Sequence, residues 1–316
     1  MGRKRAVVAI GGNSLIKDRM HQTVRDQYIA AGETCWHIVS MIRDGWDVAI
    51  GHGNGPQVGF ILRRSELAAH ELHEVPLDVC GADSQGAIGY ALQQNLHNEF
   101  RAVGMDKHAV TVITQVEVAA DDPAFQNPAK PIGSYMDEER AIRRRDEEGW
   151  SVMEDAGRGW RRVVPSPAPI RIVEEKAVKD LIDAGFVVIT VGGGGIPVVA
   201  DGEGSLRGVA AVIDKDLASS LLATIIGSEL FLITTAVEQV ALNFGKPNEE
   251  KVRRMTLSEA KRYLAEGVHF ASGSMAPKIQ AIIGYLERGG GEAIITNPEN
   301  VERALVGETG TRITPD

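Results

Sequence analysis

The sequence predicts an α/β fold built on a largely parallel sheet, and three observations carry that expectation. Short apolar runs rich in β-branched residues alternate with amphipathic segments along the chain. The runs are continuously apolar, as strands covered on both faces by helices must be. Three of them end in glycine-rich turns, at 11–14, 51–56 and 192–195. Strands are expected at 6–10, 47–50, 109–113, 186–191, 230–234 and 293–296. Helical patterns lie between them, among others at 84–103, 174–184, 217–226 and 277–288. Thr256 followed by Glu259 has capping-box spacing and predicts a further helix start. Residues 121–169 break this rhythm with Asn127-Pro-Ala-Lys-Pro131, Asp155-Ala-Gly-Arg-Gly-Trp160 and Pro165-Ser-Pro167. That stretch is too long for a plain loop, and Trp150, Trp160, Val163 and Val164 give it something to pack with. It reads as an inserted subdomain or lid.

The bulk numbers narrow the function. A chain of 316 residues with 43% hydrophobic and 24% charged residues has the composition of a soluble globular protein with a sizeable core. A formal charge of -9 argues against nucleic-acid binding, which needs concentrated Lys and Arg. No stretch is apolar for long enough to span a bilayer. The N-terminus opens like a signal peptide, but Gly11-Gly12-Asn13 interrupts its short apolar run. Cys35 and Cys80 are too few for a disulfide framework or a zinc site, so a reducing cytoplasm is the expected location.

The glycine-rich turns point to phosphate. In open α/β sheets ligands bind beyond the carboxyl ends of the strands, where glycine lets backbone N–H groups approach an anion. The common fingerprints are absent: there is no GxxxxGK[ST] loop, no GxGxxG followed by a helix, and no protein-kinase signature. Residues 196–199 after the four-glycine run read as extended chain instead. Three lysines stand in unusual settings. Lys130 is flanked by prolines, Lys215 lies between Asp214 and Asp216 where a strand gives way to a helix, and Lys278 follows Gly273-Ser-Met-Ala-Pro277. Phosphoryl transfer needs positioning and positive charge rather than covalent help, which lysines supply. Asp214 and Asp216 are candidates for holding Lys215, for organising Mg²⁺, or for capping the helix that starts there. His52, in a glycine-rich turn, reads as a hydrogen-bonding loop residue rather than a general base. Cys80 reads as a packed thiol. No Ser-His-Asp or Cys-His arrangement is indicated by spacing.

Taken together, these segments resemble the carbamate kinases of the amino acid kinase family. The likeness runs nearly end to end, through His52-Gly-Asn-Gly-Pro-Gln-Val-Gly59, Asn127-Pro-Ala-Lys-Pro-Ile-Gly133, Glu154-Asp-Ala-Gly-Arg-Gly-Trp160, Gly192-Gly-Gly-Gly-Ile-Pro197, Ala211-Val-Ile-Asp-Lys-Asp216 and Gly273-Ser-Met-Ala-Pro-Lys278. It implies a three-layer αβα sandwich around a mostly parallel open sheet, spanning 1–316 as a single domain and assembled as a homodimer. It implies that residues 123–165 form a protruding subdomain over the carbamate side, with the nucleotide on the half from about 186 to 316. It assigns catalysis to Lys130, Lys215, Lys278, Asp214 and Asp216. Phosphate and substrate fall to Gly11, Gly12, Asn13, Gly53, Asn54, Gly55, Gly193 and Gly194. The nucleotide falls to Val237, Phe244 and Met275 beside Lys215 and Lys278. Mg²⁺ travels with ATP or ADP, carried mainly by the nucleotide phosphates. The implied reaction is reversible phosphoryl transfer between ATP and carbamate, run toward ATP synthesis at the end of arginine or purine-derivative breakdown. Carbamate brings an already ionised oxygen, so the lack of a general base is no obstacle.

The chain departs from the family pattern at Asp83, usually Met, at Ser14, usually Ala, and at Phe244, often Tyr. Asp83 leaves room for a shifted acceptor preference. Two alternatives therefore stand beside the carbamate reading: phosphorylation of another small carboxylic acid, or a catalytically silent nucleotide-binding regulator.

Overall fold

A computed structural model describes residues 4–12, 15–16, 20–155, 157, 159–271 and 273–316. Asn13 and Ser14 lie outside the described residues. Numbered along the chain, the main sheet has the order β15 (Arg254–Thr256), β17 (Thr311–Thr314), β16 (Glu292–Thr296), β12 (Leu230–Thr234), β1 (Lys4–Ile10), β2 (Trp46–His52), β9 (Val187–Ile189) and β3 (Ala109–Thr111). The block from β16 to β3 is parallel throughout. It contains every strand expected from the apolar runs. β9 stops earlier than expected because Val191 takes a left-handed φ of 46° and turns the chain into the glycine run. At the other edge β17 is antiparallel to β16, and β15 pairs parallel with β17.

Side-chain alternation along each central strand builds the two outer interfaces. Val7 and Ala9 of β1 join one core cluster, while Ala6, Val8 and Ile10 join the other. The first cluster packs under α5 (Glu175–Asp183), α6 (Lys215–Ile225), α7 (Leu257–Glu266) and α8 (Met275–Glu287). The second packs under α1 (Val24–Arg43), α3 (Leu77–Ala102) and α9 (Val301–Leu305). The architecture is thus a three-layer αβα sandwich. The predicted cap at Thr256 forms: Glu259 N donates to Thr256 Oγ1 at 3.3 Å, and Thr256 N donates to Glu259 Oε2 at 2.9 Å.

α3 begins at Leu77, earlier than the expected residue 84, with Gly81 inside it. Burial of Leu77 and Cys80 anchors these first turns, and that outweighs the roughly 1 kcal/mol that an internal glycine costs.

The irregular stretch carries β5 (Lys130–Met136), β7 (Trp160–Val164) and β6 (Val152–Glu154) as an antiparallel sheet, with α4 (Glu138–Glu148) beside it. It sits on α2 (Gly55–Ala68) through a small cluster of Val58, Leu77, Cys80, Ile132, Val164 and Val212. A second sheet, β11 (Leu206–Gly208), β10 (Ile196–Ala200), β4 (Gln115–Val118) and β8 (Pro169–Ile172), follows the glycine run and includes the expected extended segment. β13 (Val240–Leu242) and β14 (Glu250–Val252) form a short ribbon.

Candidate active site

The parallel strands present their carboxyl ends to one edge, where a cleft of about 300 Å³ opens. Gly11 and Gly12 enter it from the end of β1, Gly53, Asn54 and Gly55 from β2, and Thr235 and Ala236 from β12. Gly193 closes one wall with φ of 66°, and a Cβ there would lie 2.1 Å from Asn54 Nδ2, so only glycine fits. Asn54 is buried and donates to Ser84 Oγ at 2.8 Å, which ties the turn to α3. α2 starts directly after Asn54, so a helix N-terminus faces the cleft with its amide donors and positive potential.

The three lysines arrive from three separate elements. Lys130 opens β5 of the three-stranded antiparallel sheet, Lys215 opens α6, and Lys278 lies in the first turn of α8. Two carboxylates hold them. Asp214 divides its work between its oxygens: Oδ1 accepts from Asp216 N at 2.8 Å as the helix cap, and Oδ2 pairs with Lys130 Nζ at 2.6 Å. Asp216, with a side chain 4% exposed, pairs through Oδ1 with Lys215 and through Oδ2 with Lys278 at 2.8 Å. Capping and charge pairing, which the sequence left as alternatives, therefore coexist in Asp214.

Burial and pairing oppose one another here. Burial disfavours the charge on Asp214 and Asp216, but Lys130 beside the first and Lys215 and Lys278 beside the second hold both carboxyls below the usual range. Burial lowers Lys215 to about 8 against the pull of Asp216, with Lys278 adding repulsion. Lys278 is disfavoured by burial, yet Asp216 raises it above its ordinary value. All four carboxylate oxygens are engaged, so these carboxylates are committed to the ammonium groups and the helix start. Three lysines against two carboxylates leave the array net positive.

His52 is buried and its Nδ1 lies 3.1 Å from Gly53 O; burial lowers it to about 4, so it is neutral at pH 7. Cys80 is buried in the cluster between α2, α3 and the β5–β7 sheet, and burial pushes its thiol up to about 11. Gly194 sits behind Gly193 against the Ile213 carbonyl rather than on the cleft wall. Val237 is half-buried, Phe244 is 64% exposed, and Met275 packs against the core at the start of α8; the three do not line the cleft. Asp83 is exposed on α3 and does not line it either.

Sequence reasoning missed Arg161. It lines the cleft from β7, pairs with Asp155 at 3.3 Å, donates to Gly133 O at 3.0 Å and stacks 5.1 Å from the Tyr135 ring. Its Nε is buried without a hydrogen-bond partner among the described residues. The usable signal was the run Trp160-Arg-Arg-Val-Val164, since strand alternation sends Arg161 and Arg162 to opposite faces.

The amino acid kinase family profile matches residues 4–297. The chain belongs to the amino acid kinase family. Among its relatives, the carbamate kinase-like protein YahI of Escherichia coli is 50% identical over 97% of this chain and 98% of its own length. The carbamate kinase of Thermococcus kodakarensis is 46% identical over 98% of this chain and 99% of its own. In structure, the carbamate kinase of Giardia lamblia bound to citric acid superposes with a TM-score of 0.94 at 40% identity, covering 100% of this chain and 99% of that one. The same Giardia enzyme bound to AMP-PNP gives a TM-score of 0.89 at 41% identity, with 100% and 99% covered. As a family member the chain is a phosphotransferase of three-layer αβα fold. No helix among the described residues is long and apolar enough to cross a membrane.

Proposed function

We propose that the chain is a carbamate kinase that runs mainly from carbamoyl phosphate and ADP to ATP and carbamate. The observation that carries this reading is the lysine–carboxylate array, in which Lys130 of the protruding sheet meets the Lys215–Asp216–Lys278 chain of the body. In the forward direction a terminal oxygen of ADP attacks the phosphorus of carbamoyl phosphate. The new P–O bond forms as the bond to the carbamate oxygen breaks, and carbamate leaves as an anion. No proton need be moved, which suits a site where His52 is neutral and buried. Lys215 and Lys278 neutralise the phosphoryl oxygens from the nucleotide side, and Lys130 does so from the acceptor side. The amides of Gly12, Gly55 and Gly193 supply hydrogen bonds, while those of Gly11 and Gly53 donate to Thr234 Oγ1 and Ile10 O and hold the turns in shape, and the Arg161 guanidinium adds positive charge to the cleft wall. Carbamate decomposes readily, which draws the reaction toward ATP.

Mg²⁺ bound to the nucleotide would add charge neutralisation. Asp214 and Asp216 are engaged by the lysines, which fits an ion held through phosphate oxygens and water. The adenine side falls to Val237, Phe244 and Met275. A homodimer is part of the reading, supported by exposed apolar side chains along α1 and α3, including Ile29, Trp36 and Tyr90. So is a cytoplasmic location, supported by two free buried cysteines.

The test is ATP formation from carbamoyl phosphate, ADP and Mg²⁺, with Lys130→Ala beside the wild type. Turnover that falls at least a hundredfold in the variant, about 2.7 kcal/mol at the transition state, supports the reading. ADP binding without ATP synthesis in the wild type overturns it. A second reading, transfer to another small carboxylate, is favoured by one observation: two relatives at 50% and 49% identity are named only carbamate kinase-like. An acceptor panel separates the two.

A further inference from the structure

A second cavity, of about 320 Å³, lies between α2 and the protruding sheet, and its lining carries five guanidinium groups: Arg63, Arg64, Arg140, Arg144 and Arg162. No carboxylate lines it. Two glutamates back it from outside: Glu66 pairs with Arg63 at 3.1 Å and with Arg162, while Glu148 pairs with Arg63 at 3.2 Å and with Arg144. Arg64 and Arg140 have no ion-pair partner among the described residues. Five cations against two anions leave an excess of three positive charges. Trp150 stands amid them, with Arg63, Arg144 and Arg162 at 5.8, 5.5 and 4.5 Å from its ring. Like charges gathered on one indole repel one another. Arg144 feels this: burial first, then Arg63, Arg140 and Arg143, hold it below the usual guanidinium range.

We propose that this cavity is a binding site for a small multivalent anion, separate from the catalytic cleft, that clamps the protruding subdomain onto α2. Forked guanidiniums suit carboxylate and phosphate oxygens alike, and the cavity volume lies in the range of small-molecule sites, about 300–1,000 Å³. The position gives binding a consequence. One wall is body helix and the other is subdomain, so an anion held by Arg63 and Arg64 on α2 and by Arg140 and Arg162 opposite bridges the two. β5 and β7 continue from this cavity to the cleft, where they present Lys130 and Arg161. Anion binding therefore tightens the acceptor side while leaving the adenine side untouched. The binding claim stands independently of which acid the enzyme phosphorylates.

The experiment titrates the full-length protein with inorganic pyrophosphate and, separately, with citrate, at constant ionic strength, by calorimetry and tryptophan fluorescence. The variants are Arg64→Ala/Arg140→Ala for the cavity, Lys278→Ala for the cleft and Trp150→Phe for the optical signal. Arg64 and Arg140 are exposed, so their loss leaves the fold and basal kcat unchanged. The expected result is a binding class that survives Lys278→Ala, weakens at least tenfold in the arginine double variant, and loses its fluorescence change in Trp150→Phe. Preference for pyrophosphate or for citrate then identifies a phosphate or a carboxylate ligand. Affinity unchanged in the double variant, or only one binding class that disappears with Lys278→Ala, overturns the proposal.

Discussion

Lys215 is a buried ammonium poised where its proton can be lost in an ordinary buffer. Burial sets it at about 8 despite Asp216. Only the cation attracts phosphate, so as pH rises through 8 the unliganded cleft loses a positive charge and ADP affinity falls. One proton is involved, which limits the decline to about tenfold per pH unit. The sign of the stability effect is opposite. The unfolded chain keeps this lysine protonated up to its ordinary 10.5, so between about 8 and 10.5 it binds more protons than the native state, and this group favours folding as pH rises. Lost affinity is thus separable from unfolding. Titrating ADP binding from pH 7 to 9.5 checks this, and a flat profile would contradict the assigned environment.

At the scale of elements, the tightest contact of the β5 sheet with the body is α2 against β5. Gly59 and Gly133 meet there backbone to backbone, and a Cβ on Gly59 would lie 2.2 Å from Gly133 Cα and N. No rotamer change relieves such a clash, so Gly59→Ala must push the β5–β7–β6 sheet away. Overpacking of this kind costs about 1–3 kcal/mol, to be read from denaturant midpoints. Because Lys130 travels with β5, kcat/KM for carbamoyl phosphate should fall roughly tenfold or more, while the KM for ADP changes little, since Lys215 and Lys278 stand on α6 and α8. Equal losses for both substrates would show that the displacement is not confined to the subdomain.

Across the whole molecule, the cleft gathers residues from Gly11 to Lys278. A ligand there joins segments that are far apart in the chain and that separate on unfolding. ADP at one hundred times its Kd should stabilise the fold by about 2.7 kcal/mol, a rise of several degrees in Tm. Lys215→Ala and Lys278→Ala should abolish most of that rise at the same ADP concentration. A shift retained in both would place the nucleotide elsewhere.

The sequence by itself determined the parallel block, because a strand covered on both faces must be continuously apolar and such runs are visible in any short window. It also determined the Thr256 cap and the extended chain after the glycine run, which depend on residues only a few positions apart. The edge strands β15 and β17 were not legible: they are short, and their reversal depends on what lies beside them in space. The same holds in the site. Lys130, Lys215 and Lys278 stood out as residues, but only the folded chain brings Lys130 to Asp214 across 84 positions and Lys278 to Asp216 across 62. Arg161 and the arginine cavity went unseen because one β-strand sends neighbouring arginines to opposite faces, and what each face meets is a property of the assembled layers. Local periodicity is written in the chain, whereas the partner of a buried charge is settled by which elements the tertiary structure packs together.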